Sequence, residues 1–106
     1  MGEEGWRALP SLQHKRCYLG ASFEPRGGLL AIGGGTGPFR NHTAFDSVEV
    51  LLPGEQEKER YADAWVAGPS MSQARCGLGV TAMPDGNVYA VGGYGGDLKY
   101  LSSAEV

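Results

Sequence analysis

The stretch Asn87-Val88-Tyr89-Ala90-Val91-Gly92-Gly93-Tyr94 runs four strand-forming residues into a diglycine, and Leu29-Leu30-Ala31-Ile32-Gly33-Gly34 does the same 59 positions earlier. Both runs are apolar at successive positions instead of alternating, as a strand covered on both faces requires. The diglycines that end them permit close approach of a backbone or a ring and tolerate unusual dihedrals. Moving outward at the same spacing, Trp6 falls on Trp65, Pro10-Ser11 on Pro69-Ser70 and Arg16-Cys17 on Arg75-Cys76. Leu19-Gly20 falls on Leu78-Gly79, Pro25 on Pro84 and Gly27 on Gly86. Beyond the diglycine the spacing drops to 56, and Ser47, Glu49 and Val50 match Ser103, Glu105 and Val106. The chain is thus an internal repeat whose two copies differ by a short loop.

Each copy reads as short strands divided by turn residues. Residues 16–24 and 75–83 are strand-like and lead into Pro25-Arg26-Gly27-Gly28 and Pro84-Asp85-Gly86-Asn87, which are hairpin turn chemistry. Leu29 to Ile32 and Val88 to Val91 return antiparallel. A third strand is expected at about Phe45 to Leu52 and Leu101 to Val106. A fourth, carrying the tryptophan, is expected at Gly5 to Leu9 and Ala62 to Ala67. Each tryptophan is expected to be the packed core of its unit, since it recurs with the repeat.

Composition agrees and narrows the function. The 106 residues suit one small domain. Their 18 glycines, roughly 17% against a usual share of about 7%, imply many turns. The net charge of -3 is dispersed, so no basic stripe is available to follow a phosphate backbone, and nucleic acid is excluded as a partner. No apolar run approaches the ~20 residues of a membrane span, and the acidic Met1-Gly2-Glu3-Glu4 is unlike a signal peptide. Two cysteines, Cys17 and Cys76, fit a reducing compartment, and a cytoplasmic location is expected.

Four antiparallel strands repeating at about this period, with a diglycine after the second and a tryptophan in the fourth, are the sequence form of a propeller blade. The segments Asn87 to Tyr94, Ser102-Ser103-Ala104-Glu105-Val106, and Trp65 through Met71 to Arg75 resemble the kelch repeat in its usual order. The resemblance covers about residues 5 to 106. Two departures are plain: Leu51 stands where kelch units usually place a tyrosine, and the run Gly54 to Arg60 lengthens the link to the tryptophan. The resemblance implies an all-β propeller segment of two four-stranded antiparallel blades, the first at about 16–67 and the second at about 75–106, with residues 5–10 available as its fourth strand. It also implies a protein-interaction module, since kelch-like proteins commonly bind peptides or partner proteins. These include substrates of cullin ubiquitin ligases and cytoskeletal proteins. The alternative is a piece of a kelch-like enzyme such as a sugar oxidase or a sialic-acid epimerase.

No catalytic constellation supports that alternative. Gly33-Gly34-Gly35-Thr36-Gly37 lacks the lysine of a phosphate loop, and Pro38 stands where a dinucleotide fingerprint needs glycine. His14 and His42 have no second ligand at metal spacing, so neither a metal nor another cofactor is expected. The acidic run 54–63 reads as a solvated loop, with docking of a basic partner as its other reading.

By the resemblance, Arg16 and Arg75 lie on the ligand face with the loops between second and third strands, at about 35–44 and 94–100. Arg40, Asn41, His42, Tyr94, Asp97, Lys99 and Tyr100 would surround them. Arginine forks and tyrosines suit a peptide-binding surface, with an acidic partner the natural complement. The other role for the two arginines is internal, pairing with Glu49 and Glu105. Two blades cannot close a propeller, which leads to the expectation of self-association or of further blades from a longer parent chain.

Overall fold

The computed structural model describes residues 5–38, 42–56, 59–96 and 99–106. Among them the protein is all-β and antiparallel, with no helix, and hence none long and apolar enough to cross a membrane. In chain order the strands are β1 (Gly20–Phe23), β2 (Leu29–Ile32), β3 (Gly35–Thr36), β4 (Thr43–Ala44), β5 (Val48–Leu51), β6 (Val66–Ala67), β7 (Gly79–Ala82), β8 (Val88–Val91) and β9 (Ala104–Glu105). They form a four-stranded sheet ordered β1-β2-β5-β6, a three-stranded sheet ordered β7-β8-β9, and a small β3-β4 pair. The expected 59-residue correspondence holds in the register: Gly20 faces Ile32 as Gly79 faces Val91.

The two hairpins turn alike because the same residue types meet the same demand. Gly27 N–H donates to the Glu24 carbonyl at 2.8 Å and Gly86 N–H to the Met83 carbonyl at 2.9 Å, with both glycines at positive φ. The expected first strands are shorter than residues 16–24 and 75–83. Tyr18 and Gly77 both adopt a left-handed backbone, φ 56° and 63°, and this breaks the strand into a two-residue lead and the four-residue β1 or β7. The lead still pairs, Cys17 bridging Gly35 and Cys76 bridging Tyr94.

Side-chain alternation divides the first sheet into two packed faces. On one, Ala31, Leu51 and Trp65 are buried together, with Leu12, Leu19, Leu29 and Tyr61 against them. On the other, Ile32, Val48 and Val50 are buried against Leu78, Val80 and Val88 of the second sheet. The uninterrupted apolar run of β2 is therefore explained, since each face meets a different layer. The matching run of β8 is covered on one side only, and Val91 is 50% exposed.

The fourth strands differ most from expectation. Trp65 lies beside β6, 8% exposed, and its Nε1–H donates to the Pro10 carbonyl at 2.8 Å. Residues 5–9 form no strand, and Trp6 is fully exposed instead of being a core residue. The reason is positional: an aromatic ring is buried only where neighbouring elements cover it, and none covers Trp6 among the described residues.

Candidate functional site

Arg16 and Arg75 stand where the repeat puts them, at the start of each unit's first strand, but their guanidinium groups point inward. Arg16 donates from NH1 to the Gly33 and Ser47 carbonyls, each at 2.9 Å, and from NH2 to Ser47 Oγ at 3.0 Å. It also reaches Glu49 Oε2 from Nε at 3.0 Å and from NH2 at 2.9 Å. Arg75 repeats the set, bonding the Gly92 and Ser103 carbonyls, Ser103 Oγ and Glu105. Their side chains are 0% and 1% exposed. Of the two roles open to them, the structure holds them in the internal one. Each ties the turn after the second strand to the third strand of its own sheet. A guanidinium with five donors in a fixed fork is the side chain suited to that task.

The carboxylates complete the clamp. Burial raises the Glu49 pKa, but the Gln13 backbone N–H, the Arg16 guanidinium and the His14 N–H outweigh it and hold the group below its ordinary value. Glu105 is likewise lowered, first by the Ser72 backbone N–H and then by the Ser72 hydroxyl and Arg75.

What remains open to a partner is a row of rings spanning both repeats. Tyr18 meets His42 edge-on with centroids 6.0 Å apart, His42 lies 6.1 Å from Tyr94, and Tyr94 lies 6.5 Å from Tyr100. Tyr18 and Tyr100 form the exposed ends, 61% and 84% accessible, while His42 is buried between them. His42 directly precedes β4 in the first expected loop and Tyr94 belongs to the second, so the two expected loops meet at this ring contact. Lys99 is exposed at the rim. Arg40, Asn41 and Asp97 lie outside the described residues.

Two groups in and beneath this row, Tyr94 and Cys76, resist ionisation. Burial, followed by the Cys76 thiol, raises the Tyr94 pKa, and burial raises that of Cys76. His42 Nδ1 lies 3.3 Å from the Gly37 carbonyl, while Nε2 is buried without a hydrogen-bond partner among the described residues. Such an orphaned nitrogen is uncommon in folded proteins. No cluster of three His, Cys, Asp or Glu side chains that could hold a metal occurs among the described residues.

Tyr18 was not among the residues picked out from the sequence, though a signal existed. Under the 59-residue repeat it falls on Gly77, and both adopt positive φ. A bulky side chain thus occupies a backbone state that its own repeat fills with glycine, a conformation costing roughly 1–2 kcal/mol for an L-residue. No family model matches this chain, and no curated protein is significantly similar to it.

Proposed function

We propose that the chain is a kelch-type propeller segment whose function is to bind a protein or peptide partner along the row Tyr18, His42, Tyr94 and Tyr100. The fold reading is supported by two antiparallel sheets that repeat one register, diglycine and arginine-glutamate clamp. The functional reading is carried by Tyr18: an exposed tyrosine kept in the left-handed region where the repeat provides glycine is retained against local stability, as functional sites often show. Tyrosines offer rigid amphipathic contact area at low entropic cost, and the exposed Tyr18 and Tyr100 rings stand at the two ends of the row. With both arginines held internally, the chemistry of the face favours a partner that stacks and hydrogen-bonds over one selected by negative charge.

The test is selection from a random displayed peptide library on the intact chain, followed by Tyr18→Gly and Tyr100→Ala. The expected result is a recurring peptide sequence that binds the parent and is lost in both variants, while Tyr18→Gly unfolds at the same or higher denaturant. Enriched peptides that bind both variants like the parent would remove the aromatic row as the site.

A further inference from the structure

A groove of about 500 Å³ opens between the two hairpin turns, lined by Glu24, Pro25, Met83 and Pro84 among others. Both walls are whole hairpins, β1-β2 and β7-β8. They stand side by side, since a Cβ on Gly86 would lie 3.8 Å from a Pro25 side-chain atom. Tyr18 precedes β1 and the first turn follows it, so the groove and the aromatic row lie at opposite ends of that strand.

The repeat is unequal here in a way that changes the chemistry. Glu24 and Arg26 of the first turn correspond to Met83 and Asp85 of the second. In the first turn Arg26 closes on the buried Glu24 carboxylate and the two charges cancel. In the second an apolar side chain and a carboxylate stand in their place: Met83 is 46% exposed, and Asp85 takes the Asn87 backbone and side-chain N–H groups, with no cation beside it among the described residues.

The first wall is flanked by further carboxylates. Gly27 lies beside the Pro53 ring, Pro53 bridges Tyr61, and Gly54 N–H donates to the Arg60 carbonyl at 3.1 Å. This pairing sets the exposed Glu55 and Glu59 on the first turn's side of the groove, and neither makes an ion pair among the described residues. Arg60, over the Tyr61 ring, offsets one of their charges at most. An apolar trough is thus bordered on both sides by carboxylates, a field that favours a cationic ligand.

We propose that this groove binds a basic segment of a partner protein, an extended chain whose apolar side chain rests against Met83, Pro25 and Pro84 while Lys or Arg on either side of it meet Asp85 and the Glu55 and Glu59 pair. Apolar contact holds the segment, and the charges select it and speed its encounter. The prolines and hydrogen-bonded turns fix both walls before the ligand arrives, so little ordering cost falls on this side. The inference is independent of the aromatic row, which lies at the other end of β1.

The test is selection from a random displayed peptide library on the full chain carrying Tyr100→Ala, which impairs the row and leaves the groove intact. The expected peptides place an apolar residue between Lys or Arg and, by fluorescence anisotropy, bind more weakly as salt rises. Combining Glu55→Gln, Glu59→Gln and Asp85→Asn should weaken them about tenfold at low salt and flatten the salt dependence. Met83→Ser should weaken them about fivefold with the salt dependence retained. Melting and circular dichroism should match the parent in both, because Asn at 85 keeps an acceptor for the Asn87 N–H and the other side chains are exposed. Enrichment of neutral or acidic peptides, no recurring sequence, or basic peptides that bind either variant like the parent would each overturn the proposal. So would a parent dimer that Met83→Ser dissociates, since the occupant would then be a second copy of this chain.

Discussion

Glu49 shows what a single residue contributes when its partner is fixed by the fold. Its carboxylate is 3% exposed and collects the Arg16 guanidinium and the Gln13 and His14 N–H groups. Truncation to alanine would leave a buried guanidinium unpaired, and Glu49→Ala should cost about 3–5 kcal/mol in a denaturant titration. The clamp also has a pH signature. The folded pKa of Glu49 lies below its unfolded value, as does that of Glu105, so the unfolded chain binds more protons in the acid range. Their stabilisation is complete above the ordinary carboxylate pKa and is lost as pH falls through the lowered folded values. Stability should therefore drop on acidification below about pH 4.3, and the drop should be shallower in Glu49→Gln. An equal acid slope in parent and variant would mean that Glu49 titrates as a free carboxylate. The tryptophans make a second comparison at this scale. Trp65→Ala should cost about 3–5 kcal/mol, while Trp6→Ala should fall within about 0.5 kcal/mol.

At the scale of elements, the diglycine after each second strand is where local conformation and packing coincide. Gly34 and Gly93 adopt φ of +83° and +89°, and a Cβ on either would lie 2.6 Å from the carbonyl oxygen of Cys17 or Cys76. Gly27, at φ +101°, has only a Pro53 side-chain atom 3.9 Å away. Gly27→Ala should thus lose the conformational term of about 1–2 kcal/mol, and Gly34→Ala clearly more, since two backbones must separate to admit the methyl group. Equal losses by thermal or chemical denaturation would show that packing at Gly34 adds nothing. These elements were legible from residues alone because glycine, proline and β-branched runs report local demands: β2 and β8 span the four residues expected of them. The arginines were less legible, since a guanidinium at a strand start has the same sequence signature whether it faces a partner or its own glutamate. Only the position of Glu49, brought beside Arg16 by the β2-β5 register, decides between the two. Tyr18 was legible only through the repeat, which sets it against Gly77 and so points to a positive backbone angle that its own residue type does not suggest.

The whole molecule is two copies of one sequence in unequal surroundings, and this inequality could not be read from the repeat itself. The pattern assigned Trp6 and Trp65 the same buried role, but burial belongs to the neighbour as much as to the residue, and among the described residues the first sheet is packed on both faces and has four strands while the second has three. The second sheet exposes Val91 and Val106 and has β9 at its edge. Local opening should follow that asymmetry, because regions with less apolar cover open at lower free energy than the packed core. Hydrogen exchange read by mass spectrometry should show amides of β2 and β5 protected longest, with β8 and β9 exchanging earlier. If the two sheets exchange alike, the asymmetry in burial carries no energetic weight, and local opening is set instead by the hydrogen-bonded hairpins that both sheets share.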